Sequence, residues 1–563
     1  MKMHPFGRRS RRHSALIPKA ALALAAIALP LGLSAQGNST RRPPQFSPGN
    51  LVISRTVYDN LAGNVTVGEQ LPPGCTPGNC VSAVSNGAFP YIFNNAPVDG
   101  SFGITSRIFL DQITPSGHVI SSLEVPNSLD PWIHSTSDQL VSSFSSKSEM
   151  ALHLSTDGRY LTFMGYVAPA NTLDVSNSNT PGAFDGTNPV PSSYYRAVTR
   201  LDRWGHLDFT ETNAYSGNNG RAAILNNTWG NDVFLTAGNA GNGSTPQPQG
   251  VILGAGAQIF NFVDAPEADQ TPGNPTPVGS FSVTQLGDSA DKVGKDDNFR
   301  GITIFNNVLY YTKGSGGNGV NTVYYVNTSD TPCTGGVGLP STSATLPTTP
   351  LSYSLPLPSA GLPNNMCILA GFPTTSNKTK GFTPVNYPFS LWFADASTLY
   401  VADEGDGYTG PDDIYAHAAA QTLAGLEKWV FNSASGQWQL AYTLNSGLQI
   451  GTPYTVPGYP TGTNLATGIP WSPTTDGLRN IAGKVNGDGT VTIWAITSTT
   501  SGGGDTGADP DKLVVIKDKL KDTTLPTDEK FTVLRTARFG EVLRGVSFAP
   551  GTGMADYDED RGR

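Results

Sequence analysis

Apolar and polar residues alternate in short runs along most of this chain, and each run ends in a cluster of Gly, Asn, Asp, Ser or Pro. Such alternation places every second side chain on one face of a half-buried β-strand. In the stretch 296–319, Arg300 precedes an apolar run, Asn306 and Asn307 form a turn, and a second run ends at Lys313 before a group of glycines. Two alternating runs joined by such a turn predict a β-hairpin.

The same hairpin recurs, and a regular repeat decides the fold more strongly than any single strand. First strands begin at Glu149, Gly220, Arg300, Pro388 and Leu478, and Leu543–Pro550 supplies a first strand that no second strand follows. Further strand candidates come after each complete hairpin, for example Gly425–Phe431 and Trp438–Leu444. Four antiparallel strands per repeat predict the blade of a β-propeller.

The unpaired C-terminal strand indicates how the ring closes. It would complete one blade with three N-terminal strands, Leu51–Val57, Ser106–Ile113 and Val119–Val125. A composite blade built from both chain ends removes the open edges at which sheets aggregate. We therefore predict an all-β fold, a six-bladed β-propeller whose ring closes between N- and C-terminal strands. Strands hidden between Pro277 and Leu286 would make seven blades. No parallel sheet is expected, because helical crossovers are missing.

Two kinds of segment interrupt the strand pattern. Asp412–Leu423 is alanine-rich, begins with acidic residues and predicts a short helix. Residues 329–363, rich in Pro, Ser and Thr, predict an irregular loop. The connections 166–194, 404–424, 498–511, 327–388 and 445–477 are long, whereas the turns within hairpins are tight. We expect the long connections on one face, where binding and catalysis usually occur.

Residues 1–35 have the organisation of a signal peptide. The basic region contains Arg8, Arg9, Arg11 and Arg12, the apolar core is Ala20–Leu33, and Leu33-Ser34-Ala35 offers small residues for cleavage. Because the core is too short for a membrane span, we predict a secreted or periplasmic protein. The general and the twin-arginine export routes both remain open. Residues 36–550 would then form one propeller domain, and residues 551–563 an acidic tail.

The cysteines and the net charge agree with export. Cys75 and Cys80 flank a turn sequence and predict a local disulfide, which leaves Cys333 and Cys367 to close a longer loop. A zinc site is the alternative, but no His stands at ligand spacing. The net charge of -9 argues against a nucleic-acid partner, since nucleic-acid binding requires basic patches.

Several charged residues occupy equivalent places in the repeat. Arg221, Arg300, Arg479 and Arg544 begin innermost strands, Glu149 and Ser390 take the same position in two other repeats, and Lys313 ends a second strand. All of these side chains should converge at one mouth of the central channel. Arginine binds carboxylates and other anions through two parallel hydrogen bonds. Three roles stay open: structural pairing with carboxylates, recognition of an anionic or polyhydroxylated ligand, and direct catalysis.

Asp403, Glu404 and Asp406 belong to the densest acidic cluster in the body of the chain, and glycines stand between them. Loops rich in oxygen ligands suit calcium, which therefore becomes the predicted cofactor. The spacing is not that of an EF-hand, and a solvated acidic loop is the alternative. Among the histidines, His153 lies within an innermost strand between apolar neighbours, which predicts a core or channel histidine.

Leu-Tyr-Val-Ala-Asp at 399–403, Leu-Arg-Asn-Ile at 478–481 and Leu-Arg-Gly-Val at 543–546 are three short motifs of this chain. They resemble secreted bacterial β-propeller proteins of the NHL and gluconolactonase-like kind, over most of the chain from Asn50 to Pro550. The resemblance implies that enzymatic members hold a divalent metal at the channel mouth through Glu, Asn and Asp. Glu149 and residues 403–406 match that ligand set, and the arginine ring departs from it.

Together these features predict an exported β-propeller that binds an extracellular small molecule or glycan, anionic or carbohydrate, at an arginine-ringed channel mouth. The alternative is a calcium-dependent hydrolase or lactonase on the same face, with Glu149, Asp403 and Asp406 as metal ligands or general base. We expect a monomer with no membrane span. The sequence contains no G-x-S-x-G, H-E-x-x-H or P-loop motif, so it leaves open whether the protein is an enzyme.

Overall fold

Alternating apolar residues are buried between successive sheets in the computed structural model, as the sequence pattern predicts. The structure describes residues 43–58, 66, 68–71, 77–78, 80–82, 104–133, 135, 137–144, 146, 148–173, 175–183, 192–241, 254–263, 267–268, 277–289, 296–314, 317–328, 333–350, 365–377, 386–410, 412–465, 468–502, 507 and 509–553. The predicted signal peptide, Cys75 and residues 554–563 of the predicted tail lie outside the described residues.

The described elements are mostly short strands. In chain order the strands are β1 Leu51–Val57, β2 Gln70–Leu71, β3 Val81–Ser82, β4 Thr105–Ile113, β5 Val119–Glu124, β6 Ser142–Ser143, β7 His153–Leu154, β8 Leu161–Tyr166, β9 Arg196–Leu201, β10 Leu207–Thr212, β11 Gly220–Asn226, β12 Val233–Gly238, β13 Gly256–Asn261, β14 Glu267–Ala268, β15 Pro277–Gly279, β16 Ile302–Phe305, β17 Val308–Lys313, β18 Thr322–Val326, β19 Val337–Gly338, β20 Met366–Leu369, β21 Pro388–Asp395, β22 Thr398–Asp403, β23 Gly425–Asn432, β24 Gln437–Leu444, β25 Thr474–Val485, β26 Thr490–Thr500, β27 Lys512–Lys519, β28 Thr532–Thr536 and β29 Glu541–Phe548. The helices are α1 Ile414–Ala419 and the 3-10 turns Val175–Asn177, Thr228–Gly230, Val283–Leu286 and Thr334–Gly336.

Six sheets of four or five strands form the blades within the described part of the chain. From the channel outward, blade 1 contains β29, β1, β4 and β5, and blade 2 contains β7, β8, β9 and β10. Blade 3 contains β11, β12, β13 and β15, blade 4 β16, β17, β18 and β20, blade 5 β21 to β24, and blade 6 β25 to β28. The predicted all-β, six-bladed β-propeller is confirmed. Because β15 completes blade 3, the segment after Pro277 adds no seventh blade.

Two short parallel pairings were not predicted. β14 pairs in parallel with β10 at the outer edge of blade 2, and β19 pairs in parallel with β20 in blade 4. Each pairing spans two residues of each strand. They cover sheet edges without helical crossovers, because the chain returns to the edge through a loop.

The ring closes through β1 and β29, which pair in antiparallel fashion along the whole length of β1. Charged side chains reinforce the closure. Arg55 donates to Asp111 at 2.7 Å and to Glu541 at 3.0 Å, and Arg535 of blade 6 also donates to Asp111 at 2.7 Å. This network joins both chain ends to the neighbouring blade, so the predicted ring closure is confirmed.

The apolar core lies between neighbouring blades. Tyr400 and Leu426 of blade 5 share one buried cluster with Leu478 and Ile493 of blade 6. A comparable cluster joins blade 6 to blade 1. Contact between broad sheet faces is what fixes the innermost strands, and hence the residues around the channel, in relation to one another.

The predicted helix is present but shorter than residues 412–423. It spans Ile414–Ala419, and the side chain of Asp413 caps it by accepting hydrogen bonds from the backbone N–H groups of Tyr415 at 3.0 Å and Ala416 at 3.3 Å. The helix lies in the connection between the second and third strands of blade 5. No helix of the described residues is long and apolar enough to span a membrane.

The long connection of blade 4 lies on a different face from the one predicted. Its fourth strand is β20, so residues 327–365 join the third and fourth strands instead of two blades. That connection lies on the face of the hairpin turns, at the opposite end of the channel from the arginines. The Cys333–Cys367 disulfide holds it to β20, as predicted, with Cα atoms 5.8 Å apart. Cys80 is also disulfide-bonded.

Candidate functional site at the channel mouth

The structure brings the arginines of four blades to one end of the channel. Arg221 and Arg300 lie close enough for their charges to interact, as do Arg300 and Arg479. The carboxylate of Asp511 interacts with both Arg479 and Arg544. None of the four arginines is more than 7% exposed. They therefore form a buried ring rather than an open basic surface.

Residues 142–144, 146 and 148–150, which we call the covering segment, contact arginines from two sides of this ring. Arg544 of blade 1 donates to the carbonyl oxygens of Ser143 at 3.2 Å, of Phe144 and of Ser146. Arg300, which precedes the first strand of blade 4, donates to the hydroxyl of Ser148. Blades 1 and 4 stand on opposite sides of a six-bladed ring, so the covering segment crosses the mouth.

Met150 ends the covering segment in a backbone conformation that L-residues rarely adopt, with φ of 65°. Its carbonyl accepts a hydrogen bond from Ser54 Oγ at 2.7 Å, and the same hydroxyl oxygen accepts one from Gly545 N at 2.8 Å. A Cβ at Gly545 would collide with this carbonyl. The innermost strand of blade 1 therefore needs glycine there and holds the strained residue in place.

Glu149 lies within the covering segment and has a complete set of hydrogen bonds. One carboxylate oxygen accepts from Ser142 Oγ at 2.9 Å and from Ser143 N at 3.0 Å. The other accepts from the hydroxyl of Tyr166 and from Asn219 Nδ2 at 3.3 Å. The predicted mouth residue Glu149 thus holds the covering segment against blades 2 and 3.

Tyr166 and Arg196 belong to the same site, and sequence reasoning missed both. Burial and the adjacent Glu149 carboxylate hold the pKa of Tyr166 well above its ordinary value. The Arg196 guanidinium lies 5.0 Å from the centroid of the Tyr166 ring. Arg196 also donates to the carbonyls of Ser178 at 2.9 Å and Asn218 at 2.7 Å. The signal available in the sequence was an arginine that opens an alternating strand run at residues 196–201.

Lys313 lies at the end of β17 and is fully buried, beside two of the arginines. Burial and the charges of Arg300 and Arg221 together lower its pKa to about 7, against the opposing charges of Asp296 and Asp297. Its ammonium group donates to Asn321 Oδ1 at 3.3 Å. The pKa of Arg221 is likewise well below its ordinary value, because of burial and the charge of Arg300. Three cationic side chains therefore stand close together on blades 3 and 4.

Two carboxylates, Glu404 of blade 5 and Asp511 of blade 6, approach the other half of the ring. Arg479 donates to Glu404 Oε2 at 3.4 Å. Asp511 Oδ1 accepts from Leu543 N at 2.8 Å, whereas its Oδ2 is buried and has no hydrogen-bond partner among the described residues. Burial raises the pKa of Asp511 to about 7, against the opposing charges of Arg479 and Arg544. The mouth thus contains both cations and a carboxyl group that titrates near neutral pH.

The three residues predicted to bind calcium have separate partners. Asp403 accepts hydrogen bonds from two backbone N–H groups at 2.6 and 2.9 Å, Glu404 faces Arg479, and Asp406 accepts from Gln421 Nε2 at 3.1 Å. Among the described residues, no group of three His, Cys, Asp or Glu side chains is arranged to hold a metal ion. These carboxylates thus do not fit a calcium site in the arrangement seen, and calcium stays a prediction.

Comparisons with known proteins find similarity among solved structures. No family model matches the sequence, and no curated protein matches it. This chain is similar to a solved structure of the NanB sialidase from Streptococcus pneumoniae, at 9% sequence identity and with a TM-score of 0.32. The match covers 82% of this chain and 66% of the sialidase. A thermostable family-43 glycoside hydrolase has 12% identity, with 69% of this chain and 93% of that chain covered and a TM-score of 0.27. The match thus spans slightly less than two thirds of the sialidase.

Proposed function

We propose that this protein is an exported binding protein that takes an extracellular anionic or carbohydrate ligand, a small molecule or a glycan, at the arginine-ringed mouth. The observation that supports it is the convergence of Arg221, Arg300 and Lys313, where the charge of Arg300 lowers the pKa of Arg221 and both arginines lower that of Lys313. Buried like charges repel one another strongly. A bound anionic group, or a ligand with many oxygen atoms, offsets that repulsion and accepts from the guanidinium groups.

The Cys333–Cys367 disulfide supports the export part of the proposal. Disulfides form and persist in oxidising compartments, such as the periplasm and the extracellular medium. A secreted or periplasmic location would also give the mouth access to glycans and small molecules outside the cell.

Ligand entry requires the covering segment to shift, because the arginines are buried beneath it. Arg300 reaches this segment through the Ser148 hydroxyl. An oxygen atom of the ligand would replace that hydroxyl as the acceptor at Arg300. A hydrogen bond from Arg300 to a carboxylate is stronger than one to a neutral hydroxyl, so an anionic ligand has an advantage over the Ser148 hydroxyl in this exchange.

Isothermal titration with galacturonic acid, N-acetylneuraminic acid and neutral galactose tests the proposal. We expect the acidic sugars to bind, and Arg300→Met to weaken binding by about tenfold or more, the effect of one lost charge-assisted hydrogen bond. Arg200→Met is the matched control. Arg200 lies on an outer strand, where it pairs with Asp208 and Asp232 at 3.3 Å.

Thermal melting of both variants separates a ligand role from a structural one. If no sugar binds the unmodified protein, the proposed function is wrong. It is equally wrong if Arg300→Met lowers the melting temperature but leaves the affinity per folded molecule unchanged. In that case the arginine ring serves only to hold the covering segment.

The second candidate is the hydrolase or lactonase predicted from the sequence, which the gluconolactonase-like resemblance also suggests. Burial raises the pKa of Asp403 to about 7, and a general acid or base works best when its pKa is near the ambient pH. Thermal melting with EDTA and then with calcium chloride, followed by a lactone and phosphoester panel, tests this candidate. A calcium-dependent rise in melting temperature together with turnover supports the enzyme. If neither is observed, the binding protein is the better supported of the two functions.

A further inference from the structure

A separate cavity of about 630 Å³ occupies the channel at the end where the hairpin turns lie. All six blades contribute to its wall through their innermost strands or the turns that follow. Its lining mixes apolar side chains, among them Leu152, Ile224 and Trp392, with polar ones such as His153, Thr228 and Thr303, and the two kinds of surface are nearly equal in extent. Cavities of about 300–1,000 Å³ that combine apolar walls with a few placed polar groups are typical sites for small molecules. The exposed turn residues Asn306 and Asn307 stand at its rim, so solvent reaches it there.

The wall of this axial cavity carries no formal charge near neutral pH. None of its lining residues is Asp, Glu, Lys or Arg. It also presents an aromatic surface. The indole of Trp392 from blade 5 lies against the backbone of Gly483 in blade 6, where any Cβ would collide with the ring. A charged ligand would lose its hydration in this cavity without gaining an ionic partner, whereas a planar apolar one would bury its surface against the indole.

His153 supplies a polar group within this wall. The imidazole is hydrogen-bonded to the backbone of Ile302. Its Nδ1 is buried and has no hydrogen-bond partner among the described residues, while the residue as a whole is partly exposed. Burial lowers the pKa of His153 to about 4, which keeps the imidazole neutral near pH 7. A neutral imidazole that donates from one ring nitrogen to the Ile302 carbonyl keeps a lone pair on the other, which can accept from a donor in the cavity.

We propose that the axial cavity is a binding site for an uncharged, planar small molecule with one hydrogen-bond donor. The ligand packs against Trp392 and donates its hydrogen bond to the unprotonated ring nitrogen of His153. This site is independent of the proposed function, because it lies at the opposite end of the channel from the arginine-ringed mouth. Either site can fail its test without affecting the other.

Two fluorescent probes with the same aromatic skeleton test this proposal. N-phenylnaphthylamine is neutral and has one N–H donor, and anilinonaphthalenesulfonate adds a negative charge. Both emit more strongly in apolar surroundings. We expect saturable binding of the neutral probe to the full chain near neutral pH, and binding of the sulfonate at least about tenfold weaker because the cavity has no cation to compensate its desolvation. Equal affinities, or no saturable binding, overturn the proposal.

Variants locate the bound probe. Ile304→Trp fills the cavity, and Thr228→Trp narrows it from another blade, so that one variant remains should the other fail to fold. Either folded variant is expected to lose most of the neutral probe's binding. His153→Phe preserves ring size and is expected to weaken binding by about tenfold, as the loss of one buried hydrogen bond predicts. Ile120→Trp, on the exposed outer strand of blade 1, is the matched control. Unchanged binding in both cavity-filling variants shows that the probe binds elsewhere and overturns the proposal.

Discussion

At the scale of single residues, Glu427 shows how burial links stability to pH. Its carboxylate is fully buried, where it accepts from Trp429 Nε1 at 2.8 Å and from Asn386 Nδ2 at 3.2 Å. Burial, with a further contribution from Asp403, holds its pKa well above the ordinary value. The folded protein therefore binds a proton that the unfolded chain releases. This contribution to stability is present at acidic pH and is lost as the pH rises through the folded-state pKa.

We expect Glu427→Gln to preserve both hydrogen bonds once the amide of Asn386 is flipped, and to remove the charge. Between about pH 5 and 8 the free energy of unfolding of the variant should fall less than that of the unmodified protein. At pH 8 the variant should be more stable by about 1–3 kcal/mol. Urea unfolding across this range measures the difference, with exposed Glu124→Gln as the control. Identical pH profiles for Glu427→Gln and the unmodified protein contradict the expectation.

The sequence predicted which residues lie at the mouth, but not which groups they contact. The repeat alone predicted that Arg221, Arg300, Arg479 and Arg544 occupy equivalent positions, because register within each innermost strand follows from alternation. It could not predict their acceptors, since Arg544 binds backbone carbonyls that any residue type supplies. Whether these arginines also bind a ligand stays a prediction.

At the scale of elements, a buried ion pair joins blades 5 and 6. Lys428 of β23 donates to Asp518 of β27 at 2.9 Å, and both side chains are fully buried. Asp518 also accepts from the hydroxyls of Tyr400 and of Tyr442, the latter at 2.7 Å. Taking one member away leaves an uncompensated charge in a fully buried site, which is far more unfavourable than losing a surface pair.

Lys428→Met is expected to lower the free energy of unfolding by about 3–5 kcal/mol, because Asp518 remains buried. The double change Lys428→Met with Asp518→Leu should recover a large part of that loss. Lys517→Met is the control, since Lys517 and Asp488 form an exposed pair worth less than about 1 kcal/mol. Chemical denaturation of the three variants measures these differences. A loss in Lys428→Met no larger than that of the control shows that the buried pair contributes little.

Strand positions were predictable from alternation, and the outer elements were not. The hairpin of blade 4 turns at Asn306 and Asn307 as predicted, and both residues adopt the positive φ that a two-residue hairpin turn requires. In blade 2 the first strand is only His153–Leu154, so Glu149, which was predicted to begin it, lies outside the strand. The fourth strand of blade 4, Met366–Leu369, was missed because it is short and follows a Pro-rich stretch. That single omission placed the connection 327–365 on the wrong face.

At the scale of the whole molecule, both chain ends are needed to complete the ring. β29 pairs with β1 on one side and lines the channel on the other. It also carries Arg544, which holds the covering segment. Blade 1 is complete only when β29, the last strand of the chain, pairs with β1. The contacts between neighbouring blades therefore form a closed ring only once β29 is in place.

Removing residues 539–563 is therefore expected to leave β1 as an unpaired edge and to open the channel. The truncated chain should melt without a cooperative transition and should associate, because an exposed edge strand pairs with other chains. A synthetic peptide of residues 539–553 supplied in trans is expected to restore a single transition and a monodisperse species in gel filtration. The same peptide with Arg544→Met should restore strand pairing but bind more weakly, because the carbonyl groups of the covering segment lose their hydrogen-bond donor. A truncated chain that melts cooperatively at the original temperature shows that the ring holds without its closing strand.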